Sequence, residues 1–161
     1  MKIHKTLNSE KGFTLLESII VTMLALLAVS GILTSWHLME SKDRSLENYW
    51  RYKETLELAF QVTHHTLRST AQFSSLAIIN GGQGISFIGT DGLSRSFSRE
   101  GNHYKFIQNG VEEVLIEDIC DHAAFVLNGN NVDLVLEVGV PPNWKGKDDL
   151  DIEGTVYIRN R

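Results

Sequence analysis

Glu17 is the single ionisable side chain between Phe13 and Trp36, and it stands near the start of a run dominated by Leu, Ile, Val and Ala. A carboxylate so placed does electrostatic rather than catalytic work. Burying it in a bilayer costs about 2.5 to 3.5 kcal/mol at a helix centre and less near the interface, and intramembrane acids mark function by pairing with a cation. Ten aliphatic residues between Ile19 and Leu38 oppose that cost, at roughly 0.3 to 0.6 kcal/mol each. The segment therefore inserts with its acid in place. A solvated residue at the membrane boundary is the plainer reading of Glu17, and a partner cation is what would set the two apart.

The other reactive side chains do not converge. His64 and His65 are adjacent, so on a helix they point about 100° apart and cannot share a metal as an i, i+4 pair can; one is expected to pack and one to be solvated. His103 and the pair Asp121-His122 fall in strand or turn contexts without a third partner, and no Ser or Cys sits in a nucleophile-elbow pattern. Asp148, Asp149, Asp151 and Glu153 could offer oxygen to calcium, but their spacing is not that of an EF-hand loop. They read as a solvated loop before the last strand, with Trp144 ahead of them either covering the sheet or serving as a contact residue. Cys120 is the only cysteine, which rules out an internal disulfide and suits a small buried strand residue. No catalytic residue, cofactor or metal site is expected.

The elements that would position Glu17 are legible in the charge and hydropathy pattern. Lys2, His4, Lys5 and Lys11 precede an almost uncharged stretch from Ser18 to Met39, a step that holds the N-terminus on the cytoplasmic side. A secretory signal has an apolar core of only about 7 to 15 residues. The run from Phe13 to Met39 is longer, and at about 1.5 Å per residue it crosses a hydrocarbon core of about 30 Å. Ser30-Gly31 and Thr34-Ser35 loosen it. Beyond Met39 the pattern turns amphipathic, with Leu46, Tyr49, Trp50, Leu56, Ala59, Phe60, Thr63 and Leu67 recurring at helical spacing and charged residues filling the other face. Neither Pro nor Gly interrupts residues 32–73, so one helix of about sixty residues is predicted.

After Ala71 come short β-prone runs: Leu76 to Ile79, Ile85 to Ile88, Leu93 to Ser98, His103 to Ile107, Val114 to Ile119, Ala124 to Leu127, Val132 to Val138 and Thr155 to Ile158. Between them lie Asn-Gly and Asp-Gly pairs, which accept the positive φ that tight hairpins need. The predicted class is α+β: a long N-terminal helix, half transmembrane and half amphipathic, packed on a mostly antiparallel β-sheet head.

Lys11-Gly12-Phe13-Thr14-Leu15-Leu16-Glu17 resembles the signature of type IV prepilins and type II secretion pseudopilins at every position of the GFTLLE motif. The resemblance implies cleavage between Gly12 and Phe13 by a prepilin peptidase, N-methylation of Phe13, and use of Glu17, then the fifth residue, to meet the Phe13 ammonium of a neighbouring subunit. It divides the chain into a leader (1–12), a transmembrane and filament-core helix (13–39), an amphipathic extension (40–72) and a β head (73–161), the architecture the residue pattern predicts independently. Thr34 stands where many major pilins carry proline. Within the family the chain is most similar to the J-type minor pseudopilins and W-type minor pilins, through Leu93–Phe97, His103–Ile107, Val114–Cys120 and the ending Thr155-Val-Tyr-Ile-Arg-Asn-Arg161. The lack of a C-terminal disulfide also favours a minor subunit.

The expectation is thus a structural subunit at or near the tip of a type IV pilus or type II secretion pseudopilus, helping to initiate assembly. Its partners would be the prepilin peptidase, other pilin or pseudopilin subunits and an inner-membrane assembly platform. Its place would be the bacterial inner membrane, single-pass, with the N-terminus cytoplasmic. The alternative is a membrane-anchored or tip-displayed module recognising a secreted substrate, a surface or DNA. The formal charge of −5 becomes −7 once the leader's three lysines and one glutamate are removed. The cations Arg95, Arg99, Lys105, Lys145 and Lys147 are scattered, so no specific nucleic-acid binding is predicted.

Overall fold

The computed structural model describes residues 15–139 and 150–158. Its first element is one α-helix, α1, Leu15–Thr70. Eight strands follow: β1 Ala77–Ile79, β2 Gly84–Ile88, β3 Ser94–Glu100, β4 His103–Gln108, β5 Val111–Ile116, β6 Cys120–Asn128, β7 Asn131–Val138 and β8 Leu150–Tyr157. The protein is α+β, a long N-terminal helix with antiparallel sheets. Two compact units divide the chain, residues 1–43 and 44–161.

In the first unit the described residues are all helical, and nearly every large apolar side chain from Leu15 to Met39 is exposed. This helix is long and apolar enough to cross a membrane. Four of its hydroxyls are satisfied within the helix. Ser18 Oγ donates to the Leu15 carbonyl and Ser30 Oγ to that of Leu27, while Thr22 and Thr34 Oγ1 donate to the carbonyls of Ser18 and Ser30. Such back-bonding satisfies a hydroxyl inside the helix that carries it.

In the second unit the C-terminal part of α1 lies against two sheets. β1 to β5 form an antiparallel meander in sequence order, and β6, β7 and β8 form a separate three-stranded one. The single head expected from the sequence therefore holds two sheets. Alternation explains their inner faces: Ile85, Phe87, Phe97 and Tyr104 from the first and Ala123, Phe125, Leu134, Leu136 and Val156 from the second are buried. Aromatic rings run across the join, Phe97 on Tyr104 at 6.1 Å and Tyr104 on Phe125 at 6.5 Å between centroids. The β4–β5 hairpin closes on Asn109 and Gly110, with φ of 51° and 82°. A two-residue hairpin of primed type needs positive φ at both positions, which is why Asn-Gly serves there.

Several expected boundaries move. The buried stripe of α1 is Ser45, Leu56, Ala59, Thr63 and Leu67, whereas Leu46 and Trp50 are exposed. Counting back from Leu56 by fours and threes reaches Tyr52, Tyr49 and Ser45, so Leu46 and Trp50 lie about 100° off the packed line. Strands β5, β6 and β8 each begin earlier than their apolar runs. Their first residues include Glu112, Glu113, Asp121, His122, Asp151 and Glu153, polar side chains that are exposed in the strands. Leu150 to Glu153 are accordingly strand and not the expected loop; Asp148 and Asp149, with Trp144, lie outside the described residues.

Candidate functional site

Glu17 sits in the first described turns of α1, exposed among Leu15, Leu16, Ile19 and Ile20. An acid in the first turn of a helix meets the positive end of the helix dipole, worth typically 0.3 to 1 kcal/mol. Gly12 and Phe13, the expected cleavage and methylation positions, lie outside the described residues. What the described helix presents between Leu15 and Met39 is one carboxylate among apolar side chains.

The second unit holds its helix by one buried polar contact and one close approach. Thr63 Oγ1 donates to the Ala59 carbonyl at 2.8 Å, which spends its only hydrogen. The Tyr104 hydroxyl, 3.0 Å away, must then be the donor to Thr63 Oγ1. Both residues are fully buried, and burial pushes the Tyr104 phenol well above its usual range, keeping it neutral and able to donate. Against β8, the Phe60 ring lies over Gly154, where a Cβ would come 2.8 Å from Phe60 Cζ. Neither contact was evident in the sequence, because a hydroxyl pair 41 residues apart carries no local signal. Gly154 could have been noticed, as glycine within a β-prone run marks close approach.

The remaining candidates are engaged structurally. His64 stacks on Phe60 with centroids 6.1 Å apart, and His65 is exposed, the division expected. His103 has a partner after all: its Nε2 lies 3.4 Å from Asp118 Oδ1, and its Nδ1 accepts from the Asp118 N–H at 3.3 Å. Asp118 adopts φ 61° to do this. Cys120 is buried, and desolvation pushes its thiol up to about 11, so it is no nucleophile near neutral pH. Among the described residues no group of three or more His, Cys, Asp or Glu is arranged to hold a metal.

The cations of β3 and β4 are engaged within the head. Arg95 is buried against Asp91, donating from both terminal nitrogens, with Nη1 2.7 Å from Asp91 Oδ1. Arg99 Nε donates to the Cys120 carbonyl at 3.1 Å. Lys105 reaches Glu100 at 2.6 Å and Glu112 at 3.3 Å. These three cations are committed within the head, which leaves little of them for a phosphate backbone. Lys145 and Lys147 lie outside the described residues. No protein-family model, curated protein or solved structure matches the chain.

Proposed function

We propose that the chain is a minor pilin or pseudopilin, a structural subunit at or near the tip of a type IV pilus or type II secretion pseudopilus. The observation that carries this reading is Glu17, set five residues after Gly12 in a motif resembling the prepilin signature and placed on a helix able to cross a membrane. Prepilin peptidase would cut after Gly12 and leave Phe13 as a methylated ammonium. Glu17 of one subunit would then neutralise that ammonium on the next, while apolar faces between Phe13 and Met39 bundle. The role is packing and charge pairing rather than catalysis.

The inner membrane would hold the subunit until an assembly platform extracts it. Support comes from composition: from Leu15 to Met39 Glu17 is the one carboxylate, on a helix long and apolar enough to cross a membrane. Display of a binding head at the tip is compatible with this role, but the commitment of Arg95, Arg99 and Lys105 gives no support to DNA as its ligand.

The test is incorporation. Glu17→Ala should insert in the membrane as the wild type does yet enter filaments at least tenfold less, measured as the ratio of sheared to membrane-bound subunit. Equal incorporation would remove Glu17 from the mechanism. Glu17→Asp, retaining the charge, should recover part of the loss.

A further inference from the structure

Strand β5 is the last strand of its sheet, bonded to β4 on one side and to no described strand on the other. A strand edge of this kind presents a row of backbone N–H and C=O groups, and proteins usually blunt it with charged side chains, lysine above all, with proline or with a bulge. From Val111 to Val114 there is no lysine, proline or bulge, and the two charges are both acidic, so they turn away most strands but not a basic one. The four residues read Val-Glu-Glu-Val, all exposed, with Val111 at 72 % and Val114 at 47 % of full accessibility. The β4–β5 irregularity lies beyond them, where Tyr104 pairs with Ile116 and Lys105 with Val114.

The register fixes what an added strand would meet. Glu113 is opposite Phe106, whose ring stacks on Phe97 at 4.7 Å, so a residue beyond Glu113 would extend the inner aromatic row. Glu112 is opposite Ile107 on the other face and already shares Lys105 with Glu100. No described cation pairs with Glu113. An antiparallel neighbour matched to this edge therefore needs an apolar residue facing Val114, basic residues facing Glu113 and Glu112, and an apolar residue facing Val111. Opposite charges and β-branched pairs directly across a ladder favour pairing, while like charges oppose it.

A second copy of this chain is a poor occupant. Two antiparallel β5 strands related by an axis through the sheet place Glu113 against Glu113 or Glu112 against Glu112 in their central registers. Nor does the 161-residue sequence contain an apolar–basic–basic–apolar tetrad that another copy could offer. We infer that β5 is a strand-addition site for an extended segment of a different protein, carrying the pattern apolar–basic–basic–apolar. Backbone bonds would supply affinity and the two glutamates selectivity.

The probe is a pair of peptides, Thr-Val-Lys-Arg-Val-Thr and Thr-Val-Glu-Glu-Val-Thr, each added at millimolar concentration to the full chain in detergent micelles. Amide hydrogen exchange across β5 is then read. The basic peptide should slow exchange of the outward β5 amides saturably, and the acidic one should not. Reversing both charges (Glu112→Lys with Glu113→Lys) should weaken the basic peptide about tenfold, and Val114→Pro should abolish protection while exchange in β7 stays as in wild type. Equal protection by both peptides, or none by either while β7 remains protected, would overturn the inference. So would protection by the basic peptide that survives Val114→Pro. None of these outcomes bears on Glu17, so this inference and the assembly reading fail separately.

Discussion

The Tyr104–Thr63 contact lets the attachment of α1 to the sheets be tested by a double-mutant cycle. Thr63→Val keeps the shape but removes the acceptor, leaving the fully buried Tyr104 hydroxyl as an unsatisfied donor. That costs about 1 to 3 kcal/mol. Tyr104→Phe removes the donor, while the Thr63 hydrogen stays bonded to the Ala59 carbonyl, so the loss is smaller, about 0.5 to 1.5 kcal/mol. No described buried side-chain nitrogen or oxygen lacks a partner in the wild type, so each loss is measured from a satisfied state. The double variant removes both groups and leaves nothing orphaned; its cost should fall short of the summed single costs by about 1 kcal/mol. Urea unfolding of the full chain in micelles, followed by near-ultraviolet circular dichroism, reads all four species. Additivity within about 0.5 kcal/mol would refute the shared bond and with it the assigned direction of donation.

Other consequences are simpler to check. Gly84→Ala should destabilise by about 1 to 3 kcal/mol, because its Cβ would lie 2.8 Å from the Phe97 carbonyl oxygen, a backbone atom that cannot swing away. Gly154→Ala should cost less, since the obstacle is the tip of the Phe60 ring; thermal melts of the two would rank them, and the reverse order would contradict the packing described. The Arg95 guanidinium beside Asp91 holds that carboxyl well below the usual range of about 3.8. Because the folded value lies below the unfolded one, its stabilisation is present above about pH 4 and lost as pH falls. Asp91→Asn should therefore flatten part of the decline in melting temperature between pH 5 and pH 2, and an unchanged slope would count against the pair. Cys120, buried with its thiol pushed up to about 11, should resist iodoacetamide at pH 8 until the chain is unfolded.

How far the sequence could be read depended on the range over which each signal acts. The helix and the existence of eight strands follow from local periodicity and from turn pairs such as Asn109-Gly110, whose positive φ only a few residue types accept. Where the strands begin was harder, since Glu112, Asp121 and Asp151 look like loop residues until the sheet assigns them an outer face. The packed line of α1 was read partly off register for a similar reason: Leu46 and Trp50 are apolar, yet the buried face runs through Tyr49 and Ser45 instead. Division into two sheets, the Thr63–Tyr104 bond and the Asp118 contact to His103 depend on which distant segments meet, and local pattern does not encode that. Glu17 was legible because a lone acid in an apolar run costs free energy that chance placement does not justify. Its proposed partner lies on another chain, so neither sequence periodicity nor the fold of one copy supplies it.

The most direct test of the assembly account is the mass of the chain's N-terminal peptide after extraction from a bacterial membrane with active prepilin peptidase. The account predicts a chain beginning at Phe13, lacking the first twelve residues and carrying one added methyl group on its amine. A chain still beginning at Met1, or one cut beyond the apolar stretch so that Glu17 is lost, would contradict it.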